Sequence, residues 1–199
     1  MKINKRSSEI LLDIANDKKL DGDLTFHRIL EILGVRAFGI GLLFFALPSA
    51  LPVSAIPGIS FIFSLPVLLL AVQMIMSRKT IWLPKIVAKH TIHHKTICKI
   101  VHASSPYLKK AELLLKPRLL FMTSPIMERV NGTVIALLAC LLMLPIPLSN
   151  FIFSSLIIMF SLGFIEKDGI FVIAGYVGSF LYVSFIYTII ATAIQVVFK

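Results

Sequence analysis

Long stretches without charged residues alternate with short polar stretches along the chain. Residues 34–76 contain a single charge, Arg36, and residues 130–165 and 170–198 contain none. A helix needs about 20 apolar residues to cross a bilayer, and each of these stretches is longer than that. The pattern therefore predicts an all-α integral membrane protein whose polar segments lie outside the bilayer.

Prolines interrupt the first two apolar stretches. In the middle of one stretch they cluster at positions 48, 52 and 57, and in the other they stand at positions 145 and 147. Because proline breaks a helix, each stretch predicts a hairpin of two helical arms, 36–51 with 58–76 and 131–144 with 150–165. The arms of the second hairpin reach only about 21–24 Å, against a hydrocarbon core of about 30 Å. Two alternatives follow: the hairpins cross a thinned bilayer, or they re-enter from one face.

The last apolar stretch contains no proline. It predicts one long tilted transmembrane helix, with a pair of short helices bent at Gly175 or Gly178 as the alternative. Apolar residues at helical spacing near the N-terminus predict amphipathic helices on the cytoplasmic surface. The chain then divides into N-terminal amphipathic helices (1–33), hairpin 1 (34–76), a basic cytoplasmic or interfacial region (77–129), hairpin 2 (130–165) and a C-terminal span (166–199).

Composition and charge favour the same class. Apolar residues make up 57% of the chain, charged residues 15%, and the mean hydropathy is +0.91, which excludes an ordinary soluble domain and a disordered chain. The net charge is +10, and residues 77–129 hold eleven basic but only two acidic side chains. Such a loop stays cytoplasmic and attracts anionic lipid head groups; its few aromatic residues disfavour nucleic acid as a partner. The expected lipid-facing residues are Lys85, Lys89, Lys95, Lys99, Lys109 and Lys110.

The two hairpins resemble each other in sequence. With a shift of 90 residues, IPGISFIFS at 56–64 aligns with IPLSNFIFS at 146–154, and six of the nine pairs are identical. An Arg-x-x-Gly pattern also precedes each hairpin, as Arg36 with Gly39 and as Arg129 with Gly132. The alternative is chance similarity between apolar elbows. Duplicated halves with broken helices are a feature of many transporters.

Motifs spread over most of the chain resemble the ExoD family of bacterial inner-membrane proteins. They are GVRAFG at 34–39, ALP at 46–48, IPGIS at 56–60, Gln73, WLP at 82–84, KPRL at 116–119, PIP at 145–147 with Asn150, and GFIEKDG at 163–169. The resemblance covers about residues 25–195. It implies a role in exopolysaccharide synthesis, without a known reaction or catalytic residues that can be carried over. Leu148 and Ser64 depart from the small residues common at these positions.

Polar residues beside the prolines form the first group of candidate site residues. Proline leaves backbone carbonyls without helical partners, and hydroxyl and amide groups beside them are suited to bind a cation or a sugar hydroxyl. The alternative role is to satisfy the broken backbone. The elbow candidates for substrate binding are Ser54, Pro57, Ser60, Pro147, Ser149 and Asn150.

Charged and polar residues at the ends of the arms form the second group. Intramembrane polar groups are costly and often functional, although long side chains near a helix end also reach the interface. We expect Arg36 and Arg129 to pair with Asp168 or Glu166 and so to join the two repeats; the alternative for the acids is a solvated turn. Together with Gln73, these residues are candidates for an ion or proton path.

Other chemistry is not expected. His90, His93 and His94 have helical spacing but no neighbouring acid or cysteine, so we predict no metal site, and no cofactor motif is present. Nucleophile and zinc-protease motifs are absent as well, which predicts a protein that is not an enzyme, with a membrane enzyme as a remote alternative. The leading hypothesis is a small transporter-like protein for an ion or a small or lipid-linked solute. The rival is a scaffold that docks polysaccharide-synthesis enzymes or anionic lipid. The small and apolar faces of the hairpins are also compatible with a homodimer.

Overall fold

The computed structural model describes residues 9, 24–51, 59–78, 80–82, 91–92, 110, 112–144 and 149–197. Helices dominate this part of the chain. They are α1 (Phe26–Leu33), α2 (Val35–Ser49), α3 (Ile59–Ile75), α4 (Pro125–Leu142), α5 (Ser149–Glu166) and α6 (Gly169–Val197), with a 3₁₀ turn, η1, at Leu120–Thr123. Two residues of β1 (Leu24–Thr25) pair in antiparallel fashion with β2 (Thr91–Ile92).

Three of these helices are long and apolar enough to cross a membrane by length and composition: Pro125–Leu142, Ser149–Glu166 and Gly169–Val196. Val35–Ser49 and Phe61–Ile75 are apolar but shorter. The predicted helical fold with long apolar helices is thus confirmed for the described residues. The final stretch forms one continuous helix, the first of its two alternatives. The elbows at 52–58 and 145–148 lie outside the described residues, so spanning and re-entrant hairpins both stay open.

Helix α4 begins at Pro125, earlier than the arm predicted from residue 131. The reason is local: the Ser124 side chain caps the helix by accepting a hydrogen bond from the Met127 amide at 3.5 Å. Proline suits the first helical position, and an acid is favourable in the first turn, so Glu128 does not end the helix. Helices α4 and α5 each contain 18 residues and are therefore about 27 Å long, longer than the predicted arms.

The four central helices pack in two crossed pairs. Helix α2 packs on α5 and α3 packs on α4, and the hairpin neighbours α2–α3 and α4–α5 also touch; α6 lies on α5 and η1. The N-terminal halves of α2 and α4 lie beside the C-terminal turns of α5 and α3, at Gly39 and Gly132. All four of these helix ends therefore meet at one end of the bundle. We call it the charged end, defined by Arg36, Ser77, Arg129 and Glu166.

A glycine stands at each of the two main helix crossings. A Cβ atom on Gly39 would lie 2.8 Å from the backbone oxygen of Ser161 in α5, and one on Gly132 would lie 2.9 Å from the backbone oxygen of Ala71 in α3. Any larger residue would force the helices apart at these points. Ser161 follows Ala71 by 90 residues, the shift that aligns the two hairpin sequences.

Large side chains fill the space between the helices. Phe38, Phe153, Phe160 and Phe164 are wholly buried. The outer face of α6, by contrast, exposes large apolar side chains such as Phe180 and Tyr187. Exposed apolar surface of this extent is typical of a surface that meets lipid or protein.

Candidate functional site

A group of oppositely charged side chains is buried at the charged end. Arg36 in the first turn of α2, Glu112 in the helical turn 112–114 and Glu166 at the end of α5 are 5%, 3% and 2% exposed. The Arg36 guanidinium lies within electrostatic range of both carboxylates. Buried charges are tolerated only when they are paired. This group therefore joins the first hairpin, the second hairpin and the segment that precedes α4.

Lys167 adds a second cation to this group. It follows α5 in the left-handed conformation, with φ of 55°, and its side chain is half-buried. Burial lowers the pKa of the Lys167 ammonium, and repulsion by Arg36 lowers it further. We call Arg36, Glu112, Glu166 and Lys167 the charged cluster.

Asp168 is fully buried and makes three hydrogen bonds. Its Oδ2 accepts from the Lys116 amide and from Arg118 Nη2, both at 3.0 Å, and its Oδ1 accepts from the Ile170 amide at 3.0 Å. The Gly169 amide donates to the Arg118 carbonyl oxygen at 2.7 Å. Asp168 thus caps α6 and fixes the non-helical residues 115–119, which we call the strap.

The ion-pair partner of Asp168 differs from the expected one. We expected Arg36 or Arg129, but the structure pairs Asp168 with Arg118, which the sequence reasoning gave no role. The two residues are 50 positions apart, and no local pattern links them. Nor is Asp168 part of a solvated turn, because it is completely buried.

Arg129 and Gln73 hold backbone and side-chain groups in place at the same end. Arg129 Nε donates a hydrogen bond to the Ser77 hydroxyl just after α3. Gln73 Oε1 accepts from the Trp82 amide at 2.6 Å. Among the described contacts, Arg129 therefore joins α4 to α3, while Gln73 orders the chain that leaves the first hairpin.

A second buried polar group was missed by the sequence reasoning. Asn131 Nδ2 donates to the Met122 carbonyl oxygen at 2.8 Å, and the Tyr176 hydroxyl donates to Asn131 Oδ1 at 2.6 Å. Glu128 lies one turn earlier on α4, is buried, and its Oε1 has no hydrogen-bond partner within the described residues. This group ties α4 to η1 and α6. The only signal for it was an amide within an apolar stretch.

The elbow residues are described in part. Ser54, Pro57 and Pro147 lie outside the described residues, and Ser60 belongs to α3 with its side chain outside the description. The Ser149 hydroxyl is buried and lies 2.8 Å from the Tyr182 hydroxyl of α6; Asn150 follows it in α5. Ser149 and Glu166 are the two ends of α5, so these elbow residues lie about 25 Å along the helix axis from the charged cluster.

The basic region is described only near its C-terminal end. Lys110 is exposed. The other lipid-facing candidates, Lys85, Lys89, Lys95, Lys99 and Lys109, lie outside the described residues, as do the three clustered histidines. Their predicted role stays a prediction.

The arrangement defines a class: a helical protein whose long apolar helices suit a membrane, with buried ionisable groups gathered at one end of the bundle. The family model described as "Exopolysaccharide synthesis, ExoD" matches residues 7–188. The chain belongs to the ExoD family, as its motifs indicated.

Two relatives support the same assignment. The chain is 33% identical over 177 residues to an uncharacterised protein of Synechocystis sp., a match that covers 88% of this chain and 83% of that protein. It is 32% identical over 157 residues to the protein ExoD of Rhizobium meliloti, covering 77% of this chain and 65% of that protein. No solved structure matches the chain.

Proposed function

We propose that the protein is an inner-membrane component of exopolysaccharide synthesis with a transporter-like role for an ion or a small or lipid-linked solute. Family membership and the similarity to a protein named ExoD support the process. Three helices with the length and composition of membrane spans support the location. The charge of residues 77–129 favours a cytoplasmic charged end. The proposal includes no catalytic step and no cofactor.

We infer further that the α2–α3 and α4–α5 hairpins are two copies of one unit. Besides the glycine crossings, the support comes from two helix ends with the same construction, 90 residues apart. Ser77 after α3 and Lys167 after α5 both have left-handed backbone, with φ of 52° and 55°. The next residue closes each end in the same way. The Arg78 amide donates to the backbone carbonyl oxygen of Gln73, and the Asp168 amide donates to the backbone carbonyl oxygen of Gly163.

The same shift of 90 residues relates a hydrogen bond inside α3 to one inside α5. The Ser64 hydroxyl donates to the Phe61 carbonyl oxygen, and the Ser154 hydroxyl donates to the Phe151 carbonyl oxygen, each at 3.0 Å. Because α2 and α4 begin at the same end of the bundle, the two units have parallel rather than inverted topology. In transporters built from repeats, movement of one repeat against the other opens a path between them.

The observation that carries the transport proposal is the burial of the charged cluster where the two hairpins meet. Burial costs the charges their hydration, and attraction within the cluster offsets much of that cost. When this end opens, water solvates the same charges while the attraction weakens. The closed and open forms of this end therefore differ less in free energy than they would if apolar side chains filled the contact between the hairpins. A gate requires such a small difference.

Complementation of exopolysaccharide production tests the proposal in a strain that lacks the gene. Arg36→Gln and Glu166→Gln should each lower polymer output while the protein still reaches the membrane. The reversed pair, Arg36→Glu with Glu166→Arg, should recover part of the loss, which keeps the test informative if a single variant fails to fold. Arg28→Gln is the matched control because Arg28 is exposed and bonded only to Glu31 among described contacts. Wild-type output from both single variants, at normal protein levels, contradicts the gate.

A scaffold is the second candidate, and the packed interior favours it. Phe153, Phe160 and Phe164 occupy the space between helices, so a solute path needs their displacement. On this account, replacing lysines 85, 89, 95, 99, 109 and 110 by glutamine abolishes polymer output, whereas folded charged-cluster variants keep it. The two accounts therefore predict opposite polymer outputs from Arg36→Gln and Glu166→Gln.

A further inference from the structure

Acidic and basic side chains of residues 110–129 are separated between the inside and the outside of the protein. Among the described residues of this range, both acids, Glu112 and Glu128, are buried. The basic residues Lys110, Lys116, Arg118 and Arg129 are all exposed. The outer surface of this segment therefore carries only positive charge, although the sequence contains both signs.

Large apolar side chains lie exposed among these cations. Leu113 and Leu114 are each 75% exposed, Phe121 is 64% exposed and Ile126 is 78% exposed. Contact with water is unfavourable for such groups. Apolar side chains beside lysine and arginine are the composition of a surface that lies in the membrane–water interface.

This surface is tied to the helices through the strap. Asp168 binds both the Lys116 amide and the Arg118 guanidinium, and a Cβ atom on Gly169 would lie only 2.6 Å from the Leu119 side chain. The strap is therefore seated directly on the start of α6. These contacts fix the backbone from which its exposed side chains project.

The level of the membrane interface is indicated by Trp82. Its side chain is exposed while its backbone is held by Gln73 at the end of α3. Tryptophan is enriched where membrane meets water. The start of α4 and the end of α3 meet at the charged end, so Trp82 and residues 110–126 belong to the same end of the bundle.

We propose that this surface is a binding site for anionic phospholipid. It consists of Lys110, Leu113, Leu114, Lys116, Arg118, Phe121 and Ile126, and we call it the interfacial platform. The leucines, Phe121 and Ile126 enter the boundary between head groups and acyl chains. Lys116 and Arg118 bind the lipid phosphate; Arg118 uses Nη2 for Asp168, and 43% of its side chain remains exposed. Charge selects the lipid, because every exposed charge of the platform is positive. The proposal does not depend on transport by the hairpins.

Native mass spectrometry of the purified full chain tests the proposal. The protein in detergent is mixed with equal amounts of phosphatidylglycerol and phosphatidylcholine, and the retained lipids are counted. The wild type should retain phosphatidylglycerol preferentially. Lys110→Gln with Lys116→Gln should weaken that retention by about fivefold for each lysine removed. Arg28→Gln, which removes an exposed cation outside the platform, should leave it unchanged.

A second variant tests the apolar part. Leu113→Ser with Leu114→Ser changes only highly exposed side chains, so it should leave the thermal unfolding temperature unchanged while lowering phosphatidylglycerol retention. Equal retention of the two lipids by the wild type overturns the proposal, as does an equal loss in the lysine double variant and in Arg28→Gln. A change in the number of protein copies, with lipid retention unchanged, also overturns it and assigns the platform to contact with a second copy.

Discussion

Asp168 shows how one buried carboxylate can organise a chain turn. Both of its oxygens accept hydrogen bonds, from two backbone amides and one guanidinium. Loss of an acceptor leaves buried donors unsatisfied, which costs more than the bond itself contributes. We therefore assign Asp168 to positioning of the strap and of α6 rather than to a proton path.

Asp168→Ala should lower the free energy of unfolding by about 3 kcal/mol, because two backbone amides and Arg118 lose their acceptor. Arg118→Gln should cost less, about 1 kcal/mol or below, since its side chain is partly exposed. Chemical denaturation in detergent measures both values. Equal losses in the two variants would show that the ion pair, and not the backbone hydrogen bonds, dominates this turn.

Lys167 predicts a pH dependence of stability. Burial, and after it Arg36, lowers the pKa of its ammonium below the ordinary 10.5, so the unfolded chain binds that proton more tightly than the folded chain. Stability from this group therefore rises as pH increases from the folded pKa toward the ordinary value. Lys167→Gly removes this rise, and it stabilises the protein at neutral pH by about 1 kcal/mol because glycine suits left-handed backbone.

Thermal unfolding over a series of pH values tests this effect of Lys167. Ser77→Gly is the matched control, since Ser77 has the same backbone conformation after α3 and no charge. Its effect should be independent of pH. A pH dependence that survives unchanged in Lys167→Gly would remove Lys167 as its source.

At the scale of helices, the two glycine crossings should contribute similarly. Gly39→Ala and Gly132→Ala each place a Cβ atom against the backbone of a facing helix, and such overpacking typically costs about 1–3 kcal/mol. Gly41→Ala is the control: its Cβ would lie 3.0 Å from a terminal methyl of Leu70, which can rotate away. The free energy of unfolding in detergent distinguishes these variants. Similar tolerance of Gly39→Ala and Gly41→Ala would contradict close packing of α2 on α5.

Helix positions were predictable where composition and proline agree. The arms predicted at 36–51, 58–76 and 150–165 correspond to α2 (Val35–Ser49), α3 (Ile59–Ile75) and α5 (Ser149–Glu166). The start of α4 was predicted wrongly. The charges of Glu128 and Arg129 suggested the helix boundary, whereas Ser124 and Pro125 determine it. A capping serine followed by proline was the available signal.

At the scale of the whole molecule, the candidate site was predictable only in part. Arg36 and Glu166 stood out because charges are rare at the ends of apolar stretches. The roles of Glu112, Arg118 and Tyr176 depend on contacts across long sequence separations, such as the 45 positions between Asn131 and Tyr176. Composition and periodicity carry no information about such pairs. Nor does the sequence show that the acids of residues 110–129 are buried while the basic residues are exposed, because this depends on how the helices pack.

The central claim is that the charged end of the bundle opens, and cysteine accessibility tests it most directly. In a Cys98→Ser, Cys140→Ser background, Ala37→Cys places a thiol beside Arg36 in a buried position, and Ala139→Cys places one in a buried position deeper in α4. Open membrane sheets are treated with a charged, membrane-impermeant maleimide, with and without Glu166→Gln. The account predicts that Ala37→Cys is labelled, and faster with Glu166→Gln, while Ala139→Cys is not labelled. If neither thiol is labelled, with or without Glu166→Gln, the result contradicts the account.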